Sequence, residues 1–211
     1  PWARQLYDEI IRQADKWVSY SDEYLRYLIA PASVPRAFDV NFKQCPIHSE
    51  EIKKYGSYPW IIDLDNPWKV KCPVGGEYYP TNDFDPLNSG NPEDVTEEEF
   101  IDDGWGWKKP GESQKYWFVA YYNHWSLYKH IIPATELLGK AYLLTENTKY
   151  SRKAAVILDR IAEVYPDMDH VNQSRYGTEI QVGTYHGRII NSMWETEIVT
   201  TMAMAYDFIY E

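Results

Sequence analysis

The sequence predicts a mainly α-helical protein in which antiparallel helical hairpins are combined with a long loop-rich insertion. Two observations support this fold class. Apolar residues recur at three- and four-residue steps near both ends and in the middle of the chain, a spacing typical of helices with one buried face. Frequent prolines and two glycine clusters interrupt this pattern in between. We therefore expect one structural domain with N-terminal helices in 1–36, the insertion in 37–114, and a helical hairpin with a following helix in 115–211.

The N-terminal region has the apolar spacing of one helix, or of two short helices, from Trp2 to Leu28. A polar break from Ser19 to Asp22 separates two apolar groups. Ser21 or Asp22 would cap the second helix, because either side chain can accept a backbone N–H. Pro31 follows and should close the region.

The strongest helical pattern runs from Tyr116 to Asp169 and predicts a hairpin of two antiparallel helices. Pro133 lies inside the first helix, so this helix should kink or divide into two abutting helices. The polar stretch from Leu143 to Tyr150 indicates the connection, and the second helix should begin near Lys149. Because a single hairpin cannot bury its apolar stripe alone, further helices should surround it. One of these is a last helix that begins near Ile189.

Two other segments lack helical spacing. In the insertion we expect short strands, such as Trp68 to Lys71, with extended loops that pack over the helices. The acidic stretch from Pro92 to Glu99 is typical of a solvated loop rather than of a short helix. His170 to Tyr185 is polar and contains two glycines, which predicts another loop.

The composition narrows the classes of function. Aromatic residues make up 16% of the chain, with 9 Trp and 19 Tyr. This content indicates either an aromatic core or a cleft that stacks flat ligands such as sugar rings. The net charge of −11 argues against binding to nucleic acid or to an anionic membrane surface, which require basic patches, but not against an acidic polysaccharide held in a small basic cleft. No apolar stretch is long enough to predict a membrane span.

The two cysteines occur in matching Cys-Pro-x-x segments, Cys45 to His48 and Cys72 to Gly75. Two such knuckles that face each other are a common way to assemble a tetrahedral zinc site. Cys45, His48 and Cys72 are candidate ligands of a structural zinc, whereas Gly75 cannot ligate, and Glu77 is a candidate for the fourth position. The alternatives are a disulfide between the cysteines, which an exported protein would permit, and two unpaired core thiols.

Two groups of residues are candidates for substrate binding. Tyr121, His124 and Tyr128 share one face of the first long helix, and that face could line a sugar cleft; the alternative for His124, as for His130, is a hydrogen-bonded helix residue. The second group lies around the start of the last helix, where polar groups readily hold anions and hydroxyls. Its members, which could instead pack and form salt bridges within the protein, are His186, Arg188, Asn191, Trp194 and Glu195.

Other motifs are missing from the sequence. It has no glycine-rich phosphate loop after a strand, no Gly-x-Ser-x-Gly elbow and no His-Glu-x-x-His segment, so nucleotide-binding and common hydrolase chemistry lose support. The chain begins with Pro1, shows no signal peptide and ends inside a helical pattern at Glu211. We therefore expect it to be a fragment of a longer protein.

Several segments resemble heparinase II/III-like polysaccharide lyases, and they occur in the same order as in that family. They are Trp68 to Phe84, Leu138 to Thr145, Tyr150 to Ala155, Asn191 to Glu195, and Ala205 to Asp207.

The resemblance implies an incomplete (α/α) toroid and an enzyme that cleaves uronic-acid polysaccharides by β-elimination without a catalytic cofactor. In such a lyase, Asn, His or Arg neutralises the uronate carboxylate, Tyr or His removes the C5 proton, and an acid assists the leaving group. The family order places these catalytic residues after Glu211, so we assign none to this chain and expect the fragment to be inactive. A secreted or periplasmic location is inferred from the substrate class.

Two rival functions are also consistent with the sequence. A toroidal glycoside hydrolase would use two carboxylates, for which Glu195 or Asp169 could be nominated. A noncatalytic carbohydrate-binding protein would hold a polysaccharide through its aromatic residues without cleaving it.

Overall fold

The computed structural model describes residues 2–41, 45–90, 99–173, 180–190 and 192–210, and these belong to two compact units. The helical unit comprises 1–29, 127–167 and 187–211, and the loop-rich unit comprises 30–126 and 168–186. Helices dominate and the sheets are small, which confirms the mainly α prediction. The α-helices are α1 (Trp2–Ser19), α2 (Asp22–Tyr27), α3 (Phe118–Ser126), α4 (Ile132–Thr145), α5 (Thr148–Val164) and α6 (Ser192–Ile209).

The helical unit is built around α4, which packs against α1, α5 and α6. The contact between α4 and α6 is close at Gly139, where a β-carbon would lie 3.0 Å from the Cβ and Cδ2 atoms of Phe208. An alanine at this position would need Phe208 on the neighbouring helix to shift by a few tenths of an ångström. None of the described helices is both long enough and apolar enough to cross a membrane.

Two of the predicted helix boundaries in this unit are confirmed. The Ser21 hydroxyl accepts a hydrogen bond from the Tyr24 N–H at 3.0 Å and caps α2. Between α4 and α5, Glu146 has a left-handed conformation with φ of 55°, and the Asn147 side chain caps α5 by accepting the Lys149 N–H at 3.1 Å. Local polar residues thus end one helix of the hairpin and start the next.

The predicted division of the first long helix near Pro133 is also observed. A π-helical turn, Leu127–Ile131, follows α3 and leads into α4, with Pro133 in the first turn of α4. The backbone before it is already helical, with φ of −71° and ψ of −50° at Ile131, so the proline removes a hydrogen bond that a continuous α-helix would make. The π-helical turn lies where that bond is missing. The helix begins later than predicted, however, because Tyr116 belongs to a strand and α3 begins at Phe118.

Two sequence-based predictions near the last helix are wrong. The polar segment from His170 to Tyr185, predicted as a loop, contributes to an antiparallel pair of strands, β6 (Asp169–Gln173) and β7 (Ile180–His186). The helix predicted from Ile189 begins at Ser192 instead. Ile189 and Ile190 are buried, but their N–H groups donate to the Glu195 carboxylate at 3.0 and 2.9 Å.

The loop-rich unit contains two small antiparallel sheets with described side chains. One sheet joins β1 (Ile61–Ile62), β2 (Val70–Lys71) and β3 (Tyr78–Tyr79) in that order, and the other joins β4 (Trp107–Lys108) and β5 (Lys115–Tyr116). The strand expected from Trp68 is shorter, because Trp68 itself has a left-handed φ of 65°. Of the acidic stretch from Pro92 to Glu99, all but Glu99 lies outside the described residues.

An aromatic core holds β1–β3 against α3. Tyr79 stacks on Phe118, the first residue of α3, with ring centroids 4.9 Å apart and planes inclined by 14°. The Trp60 ring is steeply inclined to both rings, by 84° and 73°, with centroid distances of 5.8 and 6.1 Å. In this unit, part of the high aromatic content therefore serves packing.

The start of α3 is fixed by Asp102, a residue with no solvent exposure. One carboxylate oxygen accepts the N–H groups of Gly104 and Gly106, each at 2.8 Å, and the other accepts the Val119 N–H at 3.1 Å. Burial raises the pKa of Asp102 to about 6 even though these donors favour the ionised form. The two glycines have φ values of 101° and 84°, which allow the loop to turn around the carboxylate.

Candidate metal centre

The two Cys-Pro-x-x segments come together in the loop-rich unit. The first forms a tight turn in which the Ser49 N–H donates to the Cys45 carbonyl at 2.9 Å. The second lies in the loop between β2 and β3, where the Cys72 N–H donates to the Glu77 carbonyl at 2.9 Å. The donor atoms of Cys45, His48, Cys72 and Glu77 all lie within 4.8 Å of one another.

The distances among these donors match the edges of a zinc tetrahedron. With zinc at about 2.3 Å from sulfur and about 2.05 Å from nitrogen, tetrahedral angles separate two sulfurs by about 3.8 Å and sulfur from nitrogen by about 3.5 Å. The observed distance between the Cys45 and Cys72 sulfurs is 3.8 Å, and His48 Nδ1 lies 3.5 Å from each of them. These three atoms therefore have the geometry of one tetrahedral face.

Glu77 lies beside His48 and is the candidate for the fourth ligand. Its Oε1 atom is 3.0 Å from His48 Nδ1, whereas the same geometry places nitrogen and oxygen ligands about 3.4 Å apart. A shift of about 0.4 Å in either flexible side chain would produce the ligand distance. The residues present thus fit a zinc ion with a set of two sulfurs, one nitrogen and one oxygen.

The surroundings of the centre differ between its two sides. Both cysteines are buried, whereas the His48 and Glu77 side chains are 24% and 28% exposed. The Tyr79 hydroxyl donates to Glu77 Oε1 at 3.2 Å and orients that carboxylate. Burial raises the pKa of the Cys72 thiol to about 11, while the N–H groups of its own turn oppose this shift by donating to the sulfur. A metal ion would therefore displace protons from thiols as it binds.

The disulfide alternative is not what the structure contains. Cys45 and Cys72 are free thiols, and their separation of 3.8 Å far exceeds a sulfur–sulfur bond of about 2.05 Å. The alternative of two unrelated core thiols does not account for the placement of His48 and Glu77 beside them. Of the three sequence-based interpretations, the metal site agrees best with this geometry.

The predicted sugar-binding face of the first long helix is buried. Tyr121 and His124 lie in the loop-rich unit with 1% and 2% exposure, and the His124 ring packs on Phe38 with centroids 4.5 Å apart. Tyr128 belongs to the helical unit, where it is 8% exposed and donates to Glu197 at 3.1 Å. Burial favours packing for these side chains, and a role in substrate binding stays a prediction.

The second predicted group is partly described. Glu195 is 7% exposed, and its carboxylate accepts the Tyr165 hydroxyl in addition to the two N–H groups before α6. Trp194 is 41% exposed, and Arg188 and Glu195 line a shallow pocket with three further residues of α6: Thr196, Val199 and Thr200.

Two members of that group are less well described. His186 ends β7, where only the backbone is described, and Asn191 lies outside the described residues. The sugar-binding role of the whole group stays a prediction.

Sequence reasoning missed two residues that organise the candidate centre and its surroundings. Tyr79 supports Glu77, and its position two residues after a candidate ligand was the available signal. Asp102 caps a helix 16 residues further along the chain, and the glycines that follow it were the only local indication.

Comparisons with known proteins identified no related protein. No protein-family model, curated protein or solved structure matches the chain.

Proposed function

We propose that Cys45, His48, Cys72 and Glu77 bind a structural zinc ion. The observation that carries this proposal is the agreement of three donor distances with the edges of a zinc tetrahedron. Four protein ligands leave no open position for substrate, which is typical of structural rather than catalytic sites. The ion would link the turn at 45–48 to the loop between β2 and β3.

Such a link is useful in this part of the chain. The strands β1–β3 contain two residues each, so backbone pairing supplies few hydrogen bonds to hold the sheet together. A bound metal favours the folded state because the unfolded chain does not present the preformed site. Zinc would thereby stabilise the aromatic packing of the sheet on α3.

Metal content and spectroscopy test this proposal. Protein purified with a reductant should contain about one zinc per chain, and Cys72→Ser should contain much less. His130→Ala is the matched histidine control, because His130 belongs to the helical unit and is not one of the candidate ligands, whereas His48→Ala should lose metal. Cobalt substitution should give thiolate charge-transfer absorption in the wild type and in His130→Ala. Wild-type protein without zinc, or equal zinc in all four proteins, would refute the assignment.

We further propose that the chain is the N-terminal helical part of a polysaccharide lyase that acts on uronic-acid polymers by β-elimination. The resemblance of the five segments named above supports this proposal. A consistent observation is that α4 and α5 form an antiparallel hairpin with α6 packed on α4, the arrangement expected of an array of helices. The incomplete toroid, the acidic polysaccharide substrate and the secreted or periplasmic location belong to the same proposal.

The test of this second proposal uses the gene extended beyond Glu211. Incubation with a panel of uronate polymers should produce near-ultraviolet absorbance from an unsaturated uronate, and the 211-residue chain alone should produce none. New reducing ends without that absorbance would indicate the glycoside hydrolase. Binding without either product would indicate the noncatalytic carbohydrate-binding protein.

A further inference from the structure

We infer that Gly75 determines the chemical identity of the fourth zinc ligand, selecting a carboxylate in place of a thiolate or an imidazole. This inference rests on the zinc site proposed above. Its starting point is the correspondence between the two Cys-Pro-x-x segments. In the first segment the fourth residue is the ligand His48, and in the second the same position is Gly75, which has no donor.

The space beside Gly75 is already filled by the other candidate ligands. A β-carbon built on Gly75 would lie 2.0 Å from Glu77 Oε2 and 2.5 Å from His48 Cε1. Both distances are far below van der Waals contact, so any side chain at position 75 displaces one or both ligands. The Glu77 carboxylate therefore occupies the room that a ligand side chain at position 75 would need.

Backbone conformation does not explain the glycine. Gly76 has φ of 83°, in the left-handed region that favours glycine, whereas Gly75 is not among the residues with positive φ. The backbone at Gly75 would accept an L-amino acid. What requires glycine there is the room for Glu77 and His48.

The choice of ligand has a chemical consequence. Two thiolates, one imidazole and one carboxylate form a harder ligand set than three thiolates and one imidazole. Gly75→Cys should convert the first set into the second, because the new thiol enters the space that the Glu77 carboxylate leaves. Gly75→Ala should displace the carboxylate in the same way but supply no donor.

A double-mutant cycle on zinc affinity tests the inference. Competition with a chromophoric chelator would be measured for the wild type, Gly75→Ala, Gly75→Cys, Glu77→Ala and the double variant Gly75→Cys/Glu77→Ala. We expect Gly75→Ala and Glu77→Ala each to weaken zinc binding by about tenfold or more. Gly75→Cys should retain zinc, and Glu77→Ala should then have no further effect in that background.

Cobalt spectra provide a readout of ligand identity. The charge-transfer absorption per cobalt should increase by about half in Gly75→Cys, because three thiolates replace two. Cadmium should be preferred over zinc more strongly in this variant than in the wild type, since cadmium is the softer ion. Gly90→Ala is the matched control, because Gly90 also lacks a positive φ and is not a neighbour of the four candidate ligands.

The outcomes separate this inference from the zinc site itself. A wild-type protein that binds no zinc would refute the metal centre. A wild-type protein that binds zinc, with equal losses from Glu77→Ala in both backgrounds or with unchanged cobalt absorption in Gly75→Cys, would refute only the role of Gly75. Weaker zinc binding in Gly90→Ala of the same size as in Gly75→Ala would also overturn it.

Discussion

The buried carboxyl group of Asp102 gives a prediction with a defined sign. Its pKa is raised to about 6 in the folded protein, against 3.8 for a free aspartate side chain. The folded state therefore binds more protons than the unfolded state between these two pH values. The contribution of Asp102 to the free energy of unfolding is complete only well below pH 3.8, and it is lost as the pH rises through about 6.

The size of the change in the free energy of unfolding follows from the shift in the pKa of Asp102. A displacement of about two pH units corresponds to about 3 kcal/mol, at 1.36 kcal/mol per unit. Asp102→Asn removes the titration while preserving the size of the side chain. Urea unfolding from pH 4 to pH 7 should show the wild type losing about 2.4 kcal/mol relative to this variant as the pH rises, because the carboxyl group of the unfolded chain is already partly ionised at pH 4. The subtraction cancels the titration of groups that both proteins share, including the candidate metal ligands.

The comparison of the wild type with Asp102→Asn also shows which of two opposing effects dominates the pKa of Asp102. Burial raises the pKa, whereas the N–H groups of Gly104, Gly106 and Val119 stabilise the carboxylate. A carboxyl carbon resonance of Asp102 that titrates near pH 6 would support the dominance of burial. A stability difference that is independent of pH, or that favours the wild type at high pH, would show that the hydrogen bonds dominate and would refute the argument.

Three further predictions concern packing and positioning. Tyr79→Phe keeps the stacked ring but removes the hydroxyl that donates to Glu77 at 3.2 Å, so the affinity for zinc, measured by chelator competition, should fall about tenfold. An unchanged affinity would show that Tyr79 does not position Glu77. Gly139→Ala should lower the free energy of unfolding by about 1–2 kcal/mol in urea, because the added methyl meets α6 at 3.0 Å, and a stabilised variant would show that α6 can move away. Lys153→Met should lower the free energy of unfolding by about 1 kcal/mol in the same assay, because the Lys153 side chain is only 13% exposed and pairs with Asp22 at 2.6 Å. An unchanged free energy of unfolding would show that this pair contributes as little as an exposed surface ion pair.

Helix ends were predictable where the signal is local. Ser21 and Asn147 cap their helices through bonds to residues two or three positions away, and such contacts depend only on nearby sequence. Pro133 likewise indicated the division before α4 through its own missing N–H. In each case the physical cause lies within one helical turn of the residue that reports it.

Structure that depends on contacts beyond one helical turn was not predictable. Ile189 and Ile190 continue the apolar spacing of α6, but the Glu195 carboxylate accepts their N–H groups and they precede the helix. The strands β6 and β7 are largely polar and one contains a glycine. Their composition is therefore typical of a loop, and no alternation of apolar and polar residues indicated strands. The toroid expected from the resemblance stays a prediction.

In the candidate metal centre, too, local sequence predicted some features and longer-range contacts determine the others. The spacing within each Cys-Pro-x-x segment indicated Cys45, His48 and Cys72, since residues three apart in a tight turn can point to one ion. Their mutual distances depend on how two loops meet, which no local pattern contains. For Tyr121 and His124, the helical spacing identified a shared face but not whether that face is covered, and both side chains are buried.

The proximity of the two sulfurs also governs how the protein must be handled. Thiols 3.8 Å apart need only a small movement to form a disulfide once dissolved oxygen or another oxidant removes their electrons. The sulfur pair can hold a metal or bond to itself, but it cannot do both. Preparations exposed to air should therefore lose metal and free thiol in parallel. The zinc content should be measured together with the number of free thiols in the same sample.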